Sequence, residues 1–141
     1  MVSSISGFEG MPGLKKLNLR KNKIEKIEEE LPPLEGLTYL NLRGNRISSI
    51  AQVQQLFGLY PALQDLNVLS GPLERVFSSF NILIAEVLIV NPKIKRFNKY
   101  EITDVNRLEA VYLAQFRWQK SEEERLRKEE EERRKAELEA Q

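Results

Sequence analysis

From residue 14 the apolar positions recur in an order that belongs to neither a simple helix nor a simple strand. They read Leu14-x-x-Leu17-x-Leu19-x-x-Asn22-x-Ile24-x-x-Ile27, and the same frame returns 23 residues on as Leu37-x-x-Leu40-x-Leu42-x-x-Asn45-x-Ile47-x-x-Ile50. A looser copy, Leu63-x-x-Leu66-x-Val68-x-x-Gly71, follows after a further 26 residues. The pairs Leu17/Leu19 and Leu40/Leu42 are two apart, so each predicts a short strand with both side chains on one face. No helix face accepts an i, i+2 pair. Asn22 and Asn45 fall where the chain must turn, and an Asn side chain can bond the backbone groups a corner leaves unpaired. One repeat cannot bury these residues alone, so the copies are expected to stack into a curved solenoid.

The frame then changes. Gly71-Pro72 stands at the third corner, and the run from Leu73 to Val90 predicts buried helix ending at Asn91-Pro92, where helix continuation is disfavoured. Ile94-x-x-Phe97-Asn98 predicts a last short strand. From Thr103 on there is neither Gly nor Pro, and Thr103 or Asp104 is a suitable N-cap for one long helix. The expected organisation is α/β: repeats over 1–72 with the first incomplete, a C-terminal cap over 73–102, and a long charged helix over 103–141. Val105, Leu108, Tyr112 and Phe116 form a stripe expected to dock on the cap. Beyond residue 120, Glu123/Arg127, Glu124/Lys128, Glu129/Arg133, Glu130/Arg134 and Glu131/Lys135 are i, i+4 pairs in the favoured order. Sustained heptads for a coiled coil are absent.

At the other end, Val2 and Ile5 align with Ile24 and Ile27, so the chain opens inside a repeat lacking its strand half. That predicts a piece of a longer array.

Composition narrows the chemistry. Among 141 residues there is no Cys and no His, which excludes thiolate chemistry, disulfides, His-type metal sites and the commonest general base. No phosphate-binding Gly-rich loop or nucleophile elbow occurs. The expectation is a non-enzymatic protein with no cofactor and no small-molecule substrate. Net charge is +1 overall. It divides into +4 over residues 1–100 (13 basic, 9 acidic) and −3 over 101–141 (9 basic, 12 acidic), which argues against direct nucleic-acid binding. Ile82–Val90 is too short to span a bilayer. A soluble intracellular protein is expected.

The working surface predicted from the repeats is the concave face, where strand residues pointing away from the core form columns. They read Lys16, Tyr39, Asp65; then Asn18, Asn41, Asn67; then Arg20, Arg43, Leu69. Arg and Tyr are favoured at interface hot spots, so Lys16, Asn18, Arg20, Tyr39, Asn41, Arg43, Asp65 and Asn67 are candidate partner contacts, suited to an acidic segment. On the helix, Val111, Trp118 and Leu126 are candidate partner contacts, with core packing weighed somewhat above a partner anchor for Trp118. Lys93, Lys95, Arg96 and Lys99 form a basic cluster at the end of the cap, read as a solvated face.

Taken together, Leu40-Asn-Leu-Arg-Gly-Asn45, Pro61-x-Leu63-x-x-Leu66, Asn91-Pro-x-Ile94-x-x-Phe97-Asn98 and the charged helix resemble the C-terminal end of leucine-rich repeat proteins with a terminal cap. The order of elements is most similar to the axonemal leucine-rich repeat proteins of ciliary radial spokes. The chain departs from that pattern at Gly71, where the corner Asn is usual, and at Phe97-Asn98, where Leu-Asp is usual. The resemblance implies a right-handed solenoid and a structural subunit of the ciliary or flagellar axoneme, within the cytoskeleton, that docks other spoke proteins. The alternative it leaves is a spliceosomal-type module holding an RNA-binding protein partner.

Overall fold

A computed structural model describes residues 13–77 and 79–140 of the chain. Four short strands lie parallel in chain order: β1 Lys16–Asn18, β2 Tyr39–Asn41, β3 Asp65–Asn67 and β4 Arg96–Phe97. Leu17, Leu40, Leu66 and Phe97 stand in one register row, and all four are buried. The 23- and 26-residue spacings of the sequence are therefore the spacings of paired strands. Ile24, Ile27 and Ile47 are also fully buried, returning to the core from beyond the corners as the pattern requires. The Val2/Ile5 half-repeat lies outside the described residues.

Between the strands run α1 Ile27–Glu30, α2 Ile50–Leu59, α3 Leu73–Val76 and α4 Phe80–Val90. A capping box starts α2: the Ser49 hydroxyl accepts from the Gln52 amide at 3.2 Å, and Gln52 Oε1 accepts from the Ser49 amide at 3.1 Å. The apolar run after Gly71 is two helices rather than one, with α3 ending at Val76 and α4 stopping at Asn91 before Pro92.

Each corner is built the same way. The residue before it is left-handed in all three repeats, Lys21 at φ 60°, Gly44 at φ 77° and Ser70 at φ 57°. Only the middle position uses the residue that adopts this region without steric cost. Asn45 is buried and ties two repeats together. Its Oδ1 accepts from the Ile24 amide at 3.1 Å, while its Nδ2 donates to the Leu19 and Leu42 carbonyls at 2.9 and 3.0 Å. At the next corner there is no room for such a side chain: a Cβ on Gly71 would sit 2.8 Å from the Asn45 carbonyl oxygen. The departure from Asn at that corner is thus enforced by the backbone of the preceding repeat.

The sheet ends in a feature the pattern did not predict. Asn98 and Lys99 both have positive φ, 50° and 65°, and make a two-residue hairpin turn that brings β5 Tyr100–Glu101 antiparallel onto β4. Asn98 is held in this conformation by accepting from the Val68 amide at 2.7 Å.

One helix, α5, runs from Asp104 to Glu139. Thr103 is its cap: the hydroxyl accepts from the Asn106 amide at 3.1 Å and Asn106 Oδ1 accepts from the Thr103 amide at 2.9 Å. The chain divides into two compact units between Ala110 and Val111. The part of the expected stripe that belongs to the first unit does not dock on the cap: Val105 and Leu108 are 63% and 51% exposed. Asn106 and Ala110 are the buried residues of α5 instead. The capping bonds fix the rotation of the first turn with Asn106 inward, which turns the large residues to solvent. Arg107 adds to this, donating to the carbonyls of Pro92 and Ile94, the latter at 2.8 Å.

Candidate protein-docking face

The outward positions of the strands form rows fixed by the register. The first row is Lys16, Tyr39, Asp65, Arg96 and Glu101 across β1 to β5. Its charges alternate from Asp65 onward. Burial pushes the Asp65 carboxyl above its ordinary range, partly offset by the positive charges of Arg96 and Lys16. A shallow depression of about 400 Å³ lies at this end of the row, lined by Gln64, Asp65, Lys95, Arg96, Glu101 and Ile102. Glu101 joins the face through the hairpin, which the pattern does not predict, and Arg96, read from the sequence as part of a solvated basic cluster, joins it on β4. Asn98, a residue tolerant of positive φ, was the available signal. Lys93, Lys95, Arg96 and Lys99 are all exposed.

The second row corrects the sequence reading. Asn41, Asn67 and Asn98 are buried, and only Asn18 is exposed. Among the described residues their side chains do not bond one another. Asn18, Asn41 and Asn67 each accept from the amide two residues on, at Arg20, Arg43 and Leu69, at 3.2, 2.9 and 2.9 Å. The column is a ladder of local turns that ends each strand, so Asn41 and Asn67 leave the set of partner contacts.

The third row lies just past the ends of the strands. The backbone ladder continues past the strands, with the Leu19 and Lys21 amides donating to the Asn41 and Arg43 carbonyls at 2.8 and 2.7 Å. Arg20 and Arg43 therefore lie on adjacent repeats, both exposed. Neither guanidinium has an ion-pair partner among the described residues. Lys16 is exposed and Tyr39 half-buried nearby. The backbones of Arg20 and Arg43 lie one strand spacing apart, roughly 5 Å, so one carboxylate can accept from both guanidinium groups.

On α5, Val111, Trp118 and Leu126 are 50%, 65% and 55% exposed. The core placement weighed for Trp118 is overturned, since an indole with two thirds of its surface in water packs in no core.

Comparison with known proteins agrees with this geometry. Residues 4–47 match the leucine-rich repeat family pattern. The fold of the repeats is a leucine-rich repeat fold. A search of curated proteins gives no match. Among solved structures, a chain in the Drosophila melanogaster SNF/U2A′ complex is similar with a TM-score of 0.59 at 22% identity, over 77% of this chain and 60% of that one. This chain thus spans about three fifths of that neighbour. The Chaetomium Mex67:Mtr2 structure gives a TM-score of 0.47 at 15% identity, over 70% of this chain and 63% of that one.

Proposed function

We propose that the chain is a non-catalytic protein-docking module. Its strand face receives an acidic segment of a partner protein, and its long helix supplies a second contact. The observation that carries this is the Arg20/Arg43 pair, exposed, adjacent and without a counter-charge, beside Lys16 and Tyr39. Such a cluster raises the local positive potential, so it steers an acidic partner in and holds it by charge-assisted hydrogen bonds. Asp65 and Glu101 at the other end of the face set a register, because a uniformly acidic ligand is repelled there.

The cellular setting we propose is the axonemal radial spoke, a reading that rests on the order of repeats, cap and charged helix. A spliceosomal-type module is the second reading, favoured by the likeness in fold to the SNF/U2A′ complex. Affinity purification from ciliated cells, using the full chain beside a version lacking residues 101–141, separates them. Spoke proteins in the bound fraction, some lost with the helix, support the first; splicing factors support the second. An Arg43→Glu chain that keeps every partner overturns the docking face itself.

A further inference from the structure

The third row of the docking face does not end at Arg43. The Gly44 amide donates to the Leu69 carbonyl at 2.8 Å, so Leu69 lies one ladder step beyond Arg43, as Arg43 lies one step beyond Arg20. At Leu69 the face meets a cavity of about 250 Å³. Its apolar lining is Leu69, Phe77, Phe80 and Leu83, and its polar lining includes Glu74 and Ser79. Phe80 is 44% exposed, and Tyr100 meets its ring edge-on at a centroid separation of 5.2 Å. That contact sets one wall in place before any ligand arrives. The volume falls below the roughly 300 Å³ at which small-molecule sites begin, and it suits one large side chain. Glu74 is exposed, and its Oε1 accepts from the Ser70 amide at 3.1 Å, which holds a carboxylate at the cavity's edge. A ligand carboxylate is repelled there and drawn instead to Arg20 and Arg43.

We propose that this cavity seats a large apolar residue of the same partner segment whose acidic residue lies over Arg20 and Arg43. The proposal rests on the reading of the strand face as the seat of an acidic segment, and names what else that segment carries. Continuity along one row supplies the spacing. From the midpoint of Arg20 and Arg43 to Leu69 is one and a half strand spacings, roughly 7 Å. Residues two apart on an extended segment point the same way and stand about 6.6–6.8 Å apart. The ligand is therefore an extended stretch laid across the strands, with an acidic and a large apolar residue two positions apart. Turned end for end, it would set its carboxylate against Glu74 and its apolar residue between two guanidinium groups.

Titration of short blocked peptides into the full chain, read by backbone amide chemical shifts, tests this. The probes are Asp-Ala-Phe and Phe-Ala-Asp, each between glycines, because the row fixes placement and not chain direction. The tighter of the two is expected to shift the amides of Leu69, Phe80 and Leu83 together with those of Arg20 and Arg43. Replacing its phenylalanine with alanine is expected to weaken binding roughly tenfold or more, the scale of burying one aromatic side chain. Inserting one further alanine between the two residues turns the ring away and is expected to do the same. Ser79 begins α4 without a side-chain capping bond, so Ser79→Phe fills the cavity at little cost to the helix, while Leu69→Glu charges its mouth. Each is expected to lower the affinity of the phenylalanine peptide to that of the alanine peptide, with far-ultraviolet circular dichroism and the thermal midpoint close to those of the parent. The two variants are independent, so a folding defect in one leaves the test to the other. Equal affinity for the phenylalanine and alanine peptides, both lost with Arg43→Glu, overturns the cavity and leaves the acidic-segment reading standing. Binding of the phenylalanine peptide that Arg43→Glu leaves unchanged overturns the acidic-segment reading, and with it the pairing proposed here. Absence of any shift at Leu69, Phe80 and Leu83 also overturns the cavity.

Discussion

The repeats and the distal half of α5 are held by opposite means. In the repeats, contacts between residues more than 20 apart do the work: the Leu17–Leu40–Leu66–Phe97 row is buried, and Asn45 bonds backbone groups at Leu19 and Ile24. Beyond Val111, nothing but near neighbours is needed. Arg125 pairs with Glu122 at 2.8 Å and Glu129 at 2.7 Å, Glu130 with Arg134 at 2.9 Å, and Glu124 with Lys128 at 3.5 Å. The Arg125 guanidinium is held further above its ordinary range by those two carboxylates, and the Glu122 carboxyl below its own by Arg125. Apart from half-buried Glu122, these groups are half or more in water, where each pair contributes little. A single lesion should therefore unravel the repeats as a unit, whereas the helix should lose helicity in small steps.

The largest break in that comparison is Leu66→Ala. It empties the middle of the buried row and is expected to cost about 3–4 kcal/mol, read as one cooperative shift of the chemical-denaturation midpoint. Asn45→Ala comes next. It leaves the Ile24 amide without its acceptor and takes one of two bonds from each of the Leu19 and Leu42 carbonyls, for about 2–3 kcal/mol, and the circular dichroism of the helix should survive the loss of the repeats.

Gly71→Ala is expected to cost about 1–3 kcal/mol, since its Cβ meets a backbone oxygen that cannot swing aside. If the thermal midpoint is unchanged, the close approach of the two corners is wrong.

Tyr60 sharpens the comparison from the other direction. Its ring is fully buried, its hydroxyl has no hydrogen-bond partner among the described residues, and burial pushes its pKa above the ordinary value of 10.0. A folded-state pKa above the unfolded one gives stability that is present below pH 10 and lost as pH rises past it, because the unfolded chain alone ionises there. Tyr60→Phe is expected to raise stability at neutral pH by up to about 1 kcal/mol and to flatten the alkaline decline in a pH series of unfolding curves. The smallest effect is that of Arg125→Ala. Helical ellipticity should fall slightly at low salt and not at all at high salt, with no change in the unfolding of the repeats.

These two regions also differ in how far their sequence discloses them. The repeat frame was legible because a strand with Leu two apart and an Asn corner admits few structures. The register at Leu17, Leu40 and Leu66 follows directly from it. The Asn column misled for a reason internal to the backbone: Asn41 and Asn67 sit on the outward phase of the strand, yet each folds back on the amide two residues ahead. Of the pairs expected on the distal helix, Glu124/Lys128 and Glu130/Arg134 form as read, while other charges choose different partners. Lys120 takes Glu123 at 3.9 Å and Arg125 takes Glu129, so the i, i+3 and i, i+4 choices compete at nearly equal energy. The rotation of α5 could not be read from its apolar stripe, because Asn106 serves the cap and so commits the opposite side inward. The β4–β5 hairpin hid for a similar reason, its turn being Asn98-Lys99 rather than a pair containing glycine.

The most direct test of the central claim is quantitative capture of partner proteins by the intact chain and by an Arg20→Glu, Arg43→Glu double variant of equal stability. Both residues are exposed and their side chains make no bond to another described residue, so folding should be untouched. The docking account predicts that the double variant loses the partners whose binding to the intact chain weakens with salt, while proteins held through α5 remain. Equal capture of every partner by both chains would contradict it.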